Sequence, residues 1–82
     1  MPDTPGTENS GIPATYVFDS VAFDARCREL GATTEVARAD LTKVDRSTLM
    51  RYRRGLTFPL LNDAYDFAAS VGMAVTDLWK ES

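Results

Sequence analysis

Between Pro13 and Pro59 the chain contains no proline, and from Asp19 onward its apolar residues recur at spacings of three and four rather than two. A stretch in which every residue keeps its backbone N–H can run helical throughout, and that spacing stacks side chains on one side of a helix. The pattern predicts an all-α domain, a compact bundle of about five helices.

Local punctuation divides the stretch. Asp19 or Ser20 can cap a first helix, since a short oxygen-bearing side chain accepts from the unpaired N–H groups of the first turn. Phe23, Cys27 and Leu30 share its inner side, and Gly31 ends it. Thr33 or Thr34 caps a second helix carrying Val36, Ala37 and Asp40, with Leu41 near its end. Asp45-Arg46-Ser47-Thr48 opens a third, in which Asp45 reads as a cap, Leu49 and Tyr52 face inward, and Gly55 is the stop. After the turn Thr57-Phe58-Pro59, a fourth helix presents a broad stripe of Leu61, Ala64, Tyr65, Ala68 and Val71 or Phe67 up to Gly72. A last short helix from about Val75 carries Leu78 and Trp79, with Trp79 expected in the core.

Residues 1–15 are different in kind: three of the four prolines and several small polar residues fall there, with Ile12 the one substantial apolar side chain. This segment reads as a flexible N-terminal arm, and residues 16–82 as the domain. Tyr16, Val17 and Phe18 form an apolar triplet expected to pack back on the domain.

Several function classes lose support. The chain has one cysteine and no histidine, so mixed Cys/His metal sites and histidine-based acid/base or nucleophilic catalysis lack their residues. Cys27, on an apolar helix side, reads as a small core residue, and the glycines are isolated rather than gathered into a phosphate loop. No enzyme, metal, cofactor or small-molecule ligand is expected. Nor does any run approach the roughly 18 apolar residues of a membrane span, and the N-terminus lacks a basic region and an apolar signal core; the expected location is cytoplasmic.

The formal net charge of −3 hides an uneven distribution. Residues 1–35 carry two arginines against six carboxylates, and residues 55–82 one lysine against four. Residues 36–54 reverse the balance, with Arg38, Lys43, Arg46, Arg51, Arg53 and Arg54 against Asp40 and Asp45. A single basic island in an acidic chain, centred on the third helix, is where a polyanion would be met.

The run Ala37, Val44, Ser47-Thr48-Leu49, Tyr52, Arg54-Gly55, Pro59, Leu61, Phe67-Ala68, Val71-Gly72 and Asp77-Leu78-Trp79 resembles the Cro and lambda-repressor type helix-turn-helix family over residues 33–79. The resemblance implies a short phage-like regulator whose third helix, about residues 45–54, enters the major groove of double-stranded DNA. Two departures stand out. The chain is about two residues longer between Val36-Ala37 and Val44, which implies an extended second helix or a wider turn, and Lys43 stands where a turn glycine is expected. Arg53 occupies a position where the family often has a glutamate paired with an arginine of the first helix, so that pair must be absent or inverted.

Arg46, Ser47 and Arg51 share one exposed helical side and are the candidate base contacts, since arginine can grip guanine O6 and N7 with two N–H groups and serine can bond several base edges. Thr34, Lys43, Arg53, Arg54, Thr57 and Asn62 lie at helix ends or turns flanking that helix and are the candidate phosphate contacts. A homodimer on a two-fold related site, using the last helix or the arm, fits the small footprint of one such domain. The competing reading is a protein-interaction module of the antitoxin or anti-repressor kind, which the acidic total and the Tyr16–Phe18 triplet favour.

Overall fold

A computed structural model describes residues 16–81 of the chain. The expected arm, residues 1–15, lies outside the described residues. In chain order the elements are strand β1 (Tyr16–Phe18), helices α1 (Ser20–Glu29), α2 (Glu35–Thr42), α3 (Arg46–Arg54), α4 (Leu61–Ser70) and α5 (Val75–Leu78), and strand β2 (Trp79–Glu81). Five helices are therefore present in the expected order, in a mostly helical fold.

The fold is not purely helical. β1 and β2 pair antiparallel with Tyr16 opposite Glu81, Val17 opposite Lys80 and Phe18 opposite Trp79. Trp79 was expected inside the last helix; that helix is a single turn ending at Leu78, and Trp79 begins a strand. The strand form has a clear physical return. Alternation turns Phe18 and Trp79 inward, with ring centroids 5.2 Å apart, while Val17 and Lys80 face out. The Tyr16–Phe18 triplet thus packs on its own domain.

Helix boundaries follow the caps. The Asp19 carboxylate accepts from the Ala22 N–H at 2.9 Å, and the Thr34 hydroxyl from the Ala37 N–H at 3.1 Å. Asp45 occupies the cap position of α3, but its carboxylate accepts no hydrogen bond there, so its role as a side-chain cap is not realised. α3 ends at Gly55, whose φ of 71° is the left-handed conformation that only glycine adopts without strain.

Between α2 and α3 stand only Lys43, Val44 and Asp45, so the extra chain length does not widen the connection. Lys43 adopts φ 64°, and it is the one non-glycine residue with positive φ among those described. A left-handed β-carbon costs about 1 kcal/mol or more, the reason a glycine is the simpler choice here.

The core is built on five aromatic rings. Phe18, Phe23, Tyr52, Phe67 and Trp79 are all buried, with neighbouring centroids 5.2 to 5.9 Å apart, several of them edge to face. Leu49, Ala64, Ala68, Val71 and Leu78 fill the space between helices. The stripe expected on α4 is narrower than its sequence indicated: Ala64, Phe67, Ala68 and the following Val71 point inward, whereas Leu61 and Tyr65 are exposed. Cys27 is fully buried, and burial pushes its thiol up from the ordinary range, which fits a core residue rather than a nucleophile. No helix of the described residues is long and apolar enough to cross a membrane.

Candidate nucleic-acid interface

α3 has two unlike sides. Leu49 and Tyr52 are buried, and Arg46, Ser47, Met50, Arg51 and Arg54 are exposed. At about 100° per residue these five cover one continuous arc of the helix. Arg46, Met50 and Arg54 follow one another at i, i+4 and i+8, with Ser47 and Arg51 (i, i+4) beside them. None of the three arginines makes an ion pair among the described residues. Arg51 donates one 3.3 Å hydrogen bond to the Thr48 hydroxyl, a contact short in reach that leaves the rest of its guanidinium open.

Arg46, Ser47 and Arg51 are therefore brought together on one solvent-facing surface. Met50 and Arg54 share it. Met50, 43% exposed, is not among the expected contacts; its i+4 spacing from Arg46 is the sequence signal that points to it. Arg54 faces outward with the base-contact candidates rather than off to one side.

Arg53 has a different fate. Its guanidinium donates to Asp24 of α1, Nη2 to Oδ1 at 2.6 Å and Nη1 to Oδ2 at 3.2 Å, and to Glu35 of α2, Nε to Oε2 and Nη2 to Oε1, both at 2.9 Å. Arg38 adds a 3.1 Å bond to Asp24 and holds the Ala32 carbonyl at 3.0 Å, while the Arg53 guanidinium lies 5.3 Å from the Phe23 ring centroid. Burial works against the Arg53 charge, but the bonds from Asp24 and Glu35 outweigh it and hold its pKa above the ordinary range. With its donors bound to two carboxylates and its side chain only 19% exposed, Arg53 leaves the set of candidate phosphate contacts. Two acids reach its tip from α1 and α2, and a guanidinium prefers such two-pronged partners to solvent.

The pair is present, with the acid on α1 and the arginine on α3. It also neutralises Glu35, which sits in the first turn of α2 beside Thr34. An unpaired carboxylate there would repel an approaching phosphate; bound to Arg53, it largely ceases to.

The remaining candidates occupy the periphery. Thr34, Lys43 and Asn62 are exposed at the start of α2, the α2–α3 connection and the first turn of α4, and Thr57 is half-buried in the α3–α4 loop. The Thr34 oxygen accepts from the backbone, which leaves its hydroxyl proton free to donate. Among the described residues no group of three histidine, cysteine or carboxylate side chains is arranged to hold a metal ion.

No family profile, curated protein or solved structure matches this chain.

Proposed function

We propose that the protein is a sequence-specific double-stranded DNA-binding regulator, in which α2 and α3 act as a helix-turn-helix and α3 enters the major groove. The observation that carries this reading is the exposed arc of α3: three arginines without ion pairs among the described residues, a serine and a methionine on one side of a helix whose other side is core. The major groove accommodates an α-helix, and its base edges match these groups, guanine for arginine, several edges for serine, and the thymine methyl for an apolar contact. Arg46, Ser47 and Arg51 are assigned to bases, and Thr34, Lys43, Arg54, Thr57 and Asn62 to phosphates. The clamp of Arg53 on Asp24 and Glu35 fixes α3 against α1 and α2.

One domain buries little surface on DNA, so we propose a homodimer on a two-fold related site. The last helix is a poor contact for it, being one turn with Leu78 buried. The direct test is the salt dependence of binding to duplex DNA. Neutralising several phosphates gives log Kd a steep linear rise with log salt concentration, and a flat dependence excludes this surface as a duplex-binding one.

A second reading keeps a specific observation. Leu56, Leu60, Leu61 and Tyr65, on the α3–α4 loop and the adjoining side of α4, are 45% to 66% exposed, as suits a protein-interaction module. Substitution of Leu61 and Tyr65 by serine separates the two readings: it leaves the intrinsic DNA contacts of α3 in place and removes the apolar patch.

A further inference from the structure

Between the α2–α3 connection, α3 and α4 lies a cleft of about 330 Å³. Its walls carry opposite charge. Lys43 contributes on one side, Asp63 and Asp66 of α4 on the other, and Tyr52 and Phe67 line it as well. Neither aspartate makes an ion pair or side-chain hydrogen bond with Lys43 or any other cation among the described residues.

Tyr52 is a buried polar member of the lining. The residue is 94% buried, from a relative exposure of 6%, yet its hydroxyl finds no hydrogen-bond partner among the described residues. Among the described residues the enclosed side-chain polar atom without a partner is Trp79 Nε1, so the Tyr52 hydroxyl keeps some contact with solvent. Tyr52 is one of the residues lining the cleft, and Asp63, on the same lining, is near enough to act on its hydroxyl. Burial, and then the charge of Asp63, push its pKa up, so the hydroxyl remains a protonated donor with two free lone pairs. The left-handed Lys43 is the second departure from the simplest arrangement, a strained position that carries a long cation where glycine would sit freely.

We propose that this cleft binds a small zwitterion, an amino-carboxylate whose ammonium meets Asp63 and Asp66, whose carboxylate meets Lys43, and whose chain lies along Tyr52 and Phe67. Its two ends match the two walls, and a bare cation or anion would match only one. The Tyr52 hydroxyl hydrogen-bonds to whichever end lies nearer. Occupation would withdraw Lys43 from duplex phosphates, a consequence that rests on the DNA reading; binding itself is measured without DNA.

The test is NMR titration of the full isotope-labelled chain with ω-amino acids of increasing length, from glycine to 6-aminohexanoate, beside n-butylammonium and butyrate. Lys43, Asp63 and Asp66 are exposed, and ion pairs to exposed groups are weak, so the best-fitting member should saturate with Kd of about 1 to 10 mM, shifting amides in residues 42–44 and 63–67. Both singly charged probes should bind at least about ten-fold more weakly, and Lys43→Met and Asp66→Asn should each weaken the amino acid by about ten-fold. Tyr52→Phe, which keeps the ring and removes the hydroxyl, should weaken it by a smaller factor. No saturable shift with any ω-amino acid overturns the proposal, and so does equal binding of n-butylammonium, which would mean a plain cation site. Asp66→Asn lies off the exposed arc of α3 and should retain duplex affinity, so loss of the zwitterion and loss of DNA binding are read apart.

Discussion

Arg53 Nη2 lies 2.6 Å from Asp24 Oδ1, and the same guanidinium holds Glu35 through two further bonds of 2.9 Å, tying α3 to both helices that precede it. Removing the arginine leaves Glu35 without a cationic partner among the described residues and Asp24 with Arg38 alone. Arg53→Met should therefore destabilise the domain by about 1 to 3 kcal/mol in urea unfolding, the range for hydrogen bonds to charged groups left unmade. The reversed pair Asp24→Arg with Arg53→Asp should recover only part of this, because Glu35 then faces an acid. Full stability in Arg53→Met would show that the clamp adds nothing.

Lys43 separates backbone cost from charge. Lys43→Gly relieves the left-handed β-carbon but loosens the unfolded chain, so the net gain should be about 0.5 to 1 kcal/mol, seen as a raised thermal midpoint. The same substitution should weaken every duplex alike and lower the salt slope by about one unit. A lowered midpoint would mean that the lysine side chain makes a stabilising contact.

Trp79 is 1% exposed and touches Phe18, Tyr52 and Phe67 edge-on or tilted. Trp79→Ala should cost about 3 to 5 kcal/mol, as expected of a large side chain deleted from a packed core. For a domain of this size that approaches the whole stability, so the circular dichroism of the variant should show a largely unfolded chain. A cooperative transition near the original midpoint would contradict the packing described.

Asp19 joins the start of α1 to strand β2. Its carboxylate accepts from the Ala22 N–H and from Lys80 at 3.1 Å, and these bonds hold its pKa below the ordinary 3.8, the backbone bond most of all. A carboxyl depressed in the folded state contributes stability that is present above the unfolded pKa and is lost as pH falls through the folded one. The chain should thus lose stability below about pH 4, and Asp19→Asn should lose less of it over the same range. Parallel acid titrations of the two unfolding midpoints check this; identical slopes would remove Asp19 from the account.

Much of the helical layout was legible because its signals are local. Asp19, Thr34, Gly31 and Gly55 cap or stop helices within a few residues of where they stand, and Leu49 and Tyr52 face inward by spacing alone. What escaped were features fixed by distant partners. The pairing of Phe18 with Trp79 joins residues at opposite ends of the domain, and three-residue strands leave no alternation to detect. Leu61 and Tyr65 fit the apolar period of α4 yet lie on its outer side, because Phe67 fills the inner position. At the candidate interface, the arc of Arg46, Ser47 and Arg51 followed from helical geometry. The fate of Arg53 did not, since nothing in its neighbours along the chain reveals that Asp24 and Glu35 converge on it.

Arg51 is exposed beside Ser47 on α3 and makes no ion pair among the described residues, so it is the residue through which α3 would read a base most directly. The measurement is binding of wild type and Arg51→Ala to a duplex selected from random sequence and to each single-base variant of it. If α3 reads the major groove, Arg51→Ala should lose about 1 to 3 kcal/mol on the selected site and become indifferent to one base pair while still discriminating at the others. If the folded variant keeps both its affinity and its full base preference, α3 does not read DNA through this residue and the proposed interface is contradicted.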